Sequence, residues 1–140
     1  MIVVGIDGSE SAAHALRFAA LEASLRDTEL LIVAVWNVSG AYYASEAMAP
    51  AIPIEEFELS MRAAAERQLE KCLAEYPDVK RHLIVTEGTP SQVLVEKSER
   101  ADMLVVGSRG LGGFRGLMLG SVSQQCAHHA NCPVVIVPHE

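Results

Sequence analysis

Between Gly107 and Ser121 the chain reads GSRGLGGFRGLMLGS, six glycines in fifteen residues. This segment follows the apolar run Met103 to Val106 and precedes a stretch compatible with a helix. A glycine-rich loop lets backbone come close to a ligand and turn its N–H groups inward. A helix start adds unpaired amides and the positive end of a dipole. Strand, glycine loop and helix N-terminus is the order a polyphosphate site requires. Glycine content alone fits a solvated surface loop equally well, so position is what points to chemistry. Asp7 is a second candidate, because a carboxylate placed just after a strand can accept ribose hydroxyls. It can also cap a helix starting near Ser9 or Glu10, and the two roles are compatible. Arg109 and Arg115 sit where a guanidinium reaches phosphate oxygens or stays in solvent.

Other chemistries find little support. No G-x-x-x-x-G-K-[ST] occurs, and Gly110-x-Gly112 lacks the third glycine of a dinucleotide fingerprint. His128 and His129 are adjacent, so on a helix they point about 100° apart and cannot share a metal as an i, i+4 pair would. Cys126, His129 and Cys132 lack closed-site spacing and a fourth ligand, so no metal site is expected. Gly107-Ser-Arg-Gly110 is not a nucleophile elbow, and no hydrolase triad is recognisable.

The elements that must position these residues follow from periodicity. Ile2 to Ile6 is a β-branched run broken by Asp7-Gly-Ser9, and Ala15, Leu16, Ala19, Ala20 and Ala23 then fall at helical spacing within Ser11 to Arg26. Leu30 to Val35 is continuously apolar, as in a central strand of a parallel sheet. Asn37 to Ile54 shows neither period and holds Gly40, Tyr42, Tyr43, Pro50 and Pro53, which predicts a long loop, disordered or closing over a base. A helix over Glu55 to Tyr76 ends at Pro77, and Arg81 to Thr86 is a third strand. Thr89 can cap a helix over Ser91 to Arg100, with Pro90 at its first position. Met103 to Val106, a helix over Ser121 to Ala130 and a strand over Pro133 to Val137 complete the series.

The order βαβαβαβαβ predicts one α/β domain: a single doubly wound five-stranded parallel sheet with helices on both faces. In a 3-2-1-4-5 strand order, Asp7 and the loop at Gly107 face each other across the crevice where winding reverses. The fifth strand then lies at an edge, and a flat apolar edge tends to be paired or covered.

The glycines also form the pattern Gly107-x2-Gly110-x9-Gly120-Ser121. With Val4-Gly-Ile-Asp-Gly-Ser9, Glu87-Gly-Thr-Pro90, Ala101 to Ser108 and Cys132 to Pro138, it resembles the universal stress protein family over nearly the whole chain. The pattern is that of the family's ATP-binding members. The resemblance implies an ATP site in which amides of Gly107, Gly110, Gly120, Ser121 and Val122 hold phosphates, joined by the Ser121 hydroxyl. It also implies that Asp7 meets the ribose or adenine side, that Val35 contacts adenine through its backbone, and that Gly5 and Val106 line the base pocket. Some members carry a bulkier residue at the position of Gly5. Mg²⁺ can accompany ATP, with Asp7 or Ser121 nearby, although the sequence does not require it. The resemblance further implies a homodimer through Val134 to Val137, and an ATP-binding stress-response protein acting as a sensor or regulatory module on a protein partner.

Composition bounds these readings. The chain has 140 residues and a net charge of −7, with a pI of about 5.2. Its field repels polyanions, so nucleic acid is not an expected partner and a small anion needs a local pocket. Three cysteines, Cys72, Cys126 and Cys132, form no C-x-x-C pair, which favours free thiols and a cytoplasmic setting. No export signal or membrane anchor is expected. Two other classes stay open at this stage: a slow ATPase or nucleotide-processing enzyme, and a protein-interaction module with a vestigial loop. An adenylating enzyme ranks last, because Asp7-Gly-Ser9 replaces the Ser-Gly-Gly phosphate signature expected after the first strand.

Overall fold

A computed structural model of the chain describes residues 1–37, 53–111 and 119–138. Tyr42, Tyr43, Gly112, Gly113, Arg115 and Gly116 lie outside the described residues, as does most of the predicted 37–54 loop. The elements run β1 (Ile2–Ile6), α1 (Glu10–Leu25), β2 (Leu30–Trp36), α2 (Ile54–Leu73), β3 (Arg81–Glu87), α3 (Pro90–Lys97), β4 (Met103–Gly107), α4 (Ser121–His129) and β5 (Val134–Val137). All strand pairs are parallel, and the sheet order is β3-β2-β1-β4-β5, as expected.

Strand alternation divides the core in two. Ile2, Val4 and Ile6 of β1, with Leu30, Ile32, Ala34 and Trp36 of β2, meet α1 and α2 on one face. Val3, Val33, Leu104 and Val106 meet Leu94 of α3 and Cys126 of α4 on the other. The β-branched runs are hydrophobic on both faces because helices cover both. Ala12, Ala15, Ala19, Ala20 and Ala23 give α1 a narrow buried face, which brings its axis close to the strands beneath.

The helix ends show what spacing alone does not reveal. Ser9 caps α1, its side chain accepting the Ala12 N–H at 3.1 Å. The helix closes with Thr28 N–H on Ala23 O at 3.0 Å and Asp27 N–H on Ser24 O at 3.3 Å, and Asp27 takes the left-handed conformation with φ 48°. That is a Schellman ending with aspartate where glycine is usual. Thr89 stands at the N-cap of α3 by its backbone, but its side chain makes no capping bond. α3 stops at Lys97 rather than Arg100 because the chain tightens there into three-residue turns, with Ser98 Oγ donating back to Val95 O at 3.0 Å. α2 likewise ends at Leu73, short of Tyr76.

The site is positioned by an interruption in the sheet. β1 and β2 pair along their whole shared length up to Ile6 and Ala34. β1 and β4 pair only as far as Val4 and Val105. Their carboxyl ends therefore part where the winding reverses, and a crevice opens between Gly5 to Asp7 and Val106 to Arg109. Among the described residues, no helix is long and apolar enough to cross a membrane.

Replacing the cap by Ser9→Ala leaves the Ala12 amide without its acceptor. Chemical denaturation in urea is expected to show a loss of about 1 kcal/mol at unchanged m-value.

Candidate functional site

The glycine loop leaves β4 at Gly107 and returns at Gly120, and one carbonyl closes its neck. Ser108 O accepts the Gly120 N–H at 2.7 Å and the Ser123 hydroxyl at 3.2 Å. Ser123 Oγ also donates to Gly120 O at 2.9 Å, so its single proton is shared between two acceptors on either side of the neck. The Ser108 N–H is held by Val137 O of β5 at 2.8 Å.

The leading leg of the loop lies on the β1–α1 turn. Leu111 N–H donates to Asp7 Oδ2 at 3.1 Å, and Arg109 N–H donates to Ser11 Oγ at 3.4 Å. Asp7 Oδ1 accepts the Ser9 N–H at 2.9 Å. Close approach needs bare α-carbons at two positions. A Cβ on Gly107 would stand 2.8 and 2.9 Å from the backbone C and O of Ser11, and one on Gly110 would stand 2.5 Å from Asp7 Oδ2. At Gly120 the nearest atoms, Arg109 Cα and Ser108 O, are 3.4 Å away.

Above this seam lies a cleft of about 890 Å³. Ten residues singled out from the sequence line it: Gly5, Asp7, Val35, Val106, Gly107, Arg109, Gly110, Gly120, Ser121 and Val122. Val33, Val35 and Val106 bring apolar surface from the strands, with Leu94 from α3. Leu94 Cδ1 lies 2.8 Å from where a Gly5 Cβ would be, so a bulkier residue at Gly5 would have to displace it. The polar side chains of the described lining are those of Asp7, Asn37, Arg109, Ser121 and Ser123. Asp7 and Arg109 are the only ionisable residues in the described lining.

The hydrogen bonds distinguish the amides that the resemblance grouped together. The Gly120 N–H is engaged in the neck, so this glycine offers the cleft its lack of a side chain rather than a donor. Among the described residues, Gly110 N–H has no partner, although the amides on either side of it do. α4 begins after Gly120 with no side-chain cap, so among the described residues the Ser121 and Val122 amides stand open at a helix N-terminus. For Gly107 the observable role is steric, as described above.

Several residues in and behind the lining were not foreseen. β2 runs one residue further than expected, and Trp36 opposes Val35 across the sheet. Its ring packs edge-on against Phe57 at 5.5 Å, and its buried Nε1 has no partner among the described residues. Ser11 and Ser123 are almost wholly buried, and both serve the loop. Their only signal in the sequence is a small hydroxyl in the first turn of a helix flanking the site.

The remaining candidates lie apart from the cleft. His128 and His129 are exposed with ring centroids 6.4 Å apart, and among the described residues no histidine, cysteine and carboxylate group could hold a metal. Cys72, Cys126 and Cys132 are free thiols. Burial, and secondarily Cys132, push the Cys126 thiol up to about 11, which leaves it protonated and unreactive at neutral pH.

A doubly wound parallel sheet with a glycine loop at its switch point defines a class of α/β domains whose ligands sit at the carboxyl ends of the strands. Within that class, this chain belongs to the universal stress protein family, whose sequence profile matches residues 1–138. A universal stress protein of Mycolicibacterium smegmatis is 39% identical over 137 residues, which is 97% of this chain and 45% of that protein. The chain thus spans less than half the length of such curated relatives. Among solved structures, a universal stress protein in complex with cAMP is 27% identical, with a TM-score of 0.66 over 98% of this chain and 94% of that one. The hypothetical protein MJ0577 is 23% identical, with a TM-score of 0.77 over 99% and 96% of the two chains, a likeness of fold.

Gly107→Ala drives a methyl group into the Ser11 backbone, which cannot turn aside as a side chain can. Urea unfolding is expected to show a loss of about 1–3 kcal/mol, and a smaller loss for Gly120→Ala, whose neighbours stand further off.

Proposed function

We propose that this chain is an adenine-nucleotide-binding regulatory domain of the cytoplasm whose ligand is ATP, and that it acts by binding rather than by turnover. The observation that carries this is the donor set at one end of an apolar cleft. Gly110 N–H, the two open amides of α4, the Ser121 hydroxyl and the Arg109 side chain all border the same space. Such donors suit phosphate oxygens, and the strand-borne valines suit a base. The 27%-identical relative in complex with cAMP supports an adenine nucleotide as the class of ligand. In this reading Val35 and Val106 flank the base, Gly5 gives it room, and Asp7 lies toward the sugar.

Each hydrogen bond to a charged phosphate contributes about 1.5–3 kcal/mol, so three or four of them with a buried base reach micromolar affinity, about 8 kcal/mol. Asp7 is the one carboxylate in the described lining, and each of its oxygens already accepts a backbone N–H. It is thus better placed as a structural acceptor than as a general base. Mg²⁺ would arrive bound to the phosphates, and the Ser121 hydroxyl is a lining oxygen that could join its coordination.

Calorimetry with ATP is expected to show micromolar binding, abolished by Gly110→Val, whose side chain would collide with Asp7. Absence of heat at millimolar ATP with the unmodified chain would falsify the proposal.

β5 supports a homodimer as the working assembly. Among the described residues it pairs only with β4, and all four of its apolar residues are half-buried. Pairing with a second copy across a two-fold axis removes such an edge from water. Sedimentation should give a dimer at micromolar concentration, and a monomer well above that range overturns the assembly. A protein partner that reads the nucleotide state completes the regulatory role.

A further inference from the structure

We infer that Ser11 is a positioning residue for phosphate recognition: together with Asp7 it holds the leading leg of the glycine loop so that the Gly110 amide stays free for an anion. The inference rests on the nucleotide reading above and adds a residue that contacts no ligand. Ser11 is 1% exposed, so its hydroxyl acts inside the protein. It lies in the first turn of α1, against Gly107, and fills the space that a Cβ on Gly107 would need.

Two anchors flank Gly110. Ser11 Oγ takes the amide before it, and Asp7 Oδ2 takes the amide after it. A peptide held on both sides cannot rotate freely, and a donor of fixed direction binds without an ordering cost. The Arg109 bond, at 3.4 Å, is long. Its contribution is accordingly one of direction more than of strength. Asp7 alone is a weaker guide, because its bond to Leu111 is exposed and water competes for the same oxygen. With Ser11→Ala the backbone contact with Gly107 remains, but Arg109 N–H loses its acceptor and the peptide on the Gly110 side is free to turn.

The test compares the unmodified full chain with Ser11→Ala, titrated in parallel with ATP and with adenosine, alongside amide hydrogen exchange without ligand. Ser11→Ala is expected to weaken ATP about threefold to tenfold, the equivalent of one neutral hydrogen bond. Adenosine binding should be unchanged, and exchange at Arg109 should accelerate. A merely structural role would weaken both ligands together, and that result overturns the inference. So does unchanged ATP binding by Ser11→Ala. If the unmodified chain binds adenosine and ATP equally, phosphate recognition itself is absent and the inference falls with it. If it binds neither, the nucleotide reading fails first, a result distinct from an indifferent Ser11 variant.

Discussion

The contact between Gly107 and the first turn of α1 is the constraint from which the site follows. The parallel pairing of β1 with β4 brings the start of α1 and the end of β4 to the same point above the sheet, and both cannot occupy it if β4 ends in a side chain. The bare α-carbon of Gly107 lets the Ser11 backbone settle at van der Waals range. Once α1 is seated, its N-cap turn presents Asp7 and Ser11 to the chain leaving β4, and the loop is laid down along them. The alanine face of α1 serves the same end, since larger side chains would lift the helix from β1 and β4 together.

That arrangement would reconcile an acidic chain with the anion site proposed for it. A net charge of −7 opposes any polyanion at long range, and the described lining carries a single cation, Arg109. Backbone amides need no net charge to attract phosphate, because their dipoles are aligned by the helix and held by the loop. Among the described residues of the loop, the amides of Ser108, Arg109, Leu111 and Gly120 are engaged by the protein itself, and that of Gly110 is left without a partner. In the proposed site, selectivity would follow from that economy, since a ligand must match the directions that remain.

Much of this was legible in the residues. β-branched runs separated by helical spacing required parallel strands joined by crossovers, and the continuous hydrophobicity of Leu30 to Val35 marked a strand covered on both faces. The glycine spacing and the family segments singled out nine residues and the loop's own chemistry a tenth, Arg109, and the fold gathers these ten along one cleft. Helix ends were less legible, because they are decided by local bonds that compete with periodicity. Ser98 turns back on Val95 and stops α3 early, and Thr89 occupies a capping position without using its side chain.

Sequence by itself determined the alternation of elements, the doubly wound architecture and the set of residues able to form an anion site, because periodicity and glycine placement are local properties. Only the tertiary structure decided which amides remain open. Gly120 and Gly110 look alike as residues, but the Ser108 carbonyl takes the N–H of one while Asp7 and Ser11 hold the neighbours of the other. The same holds for Ser11, whose acceptor is matched to an amide 98 positions away. A hydrogen bond of that span exists only once the sheet is assembled, so no local pattern can announce it.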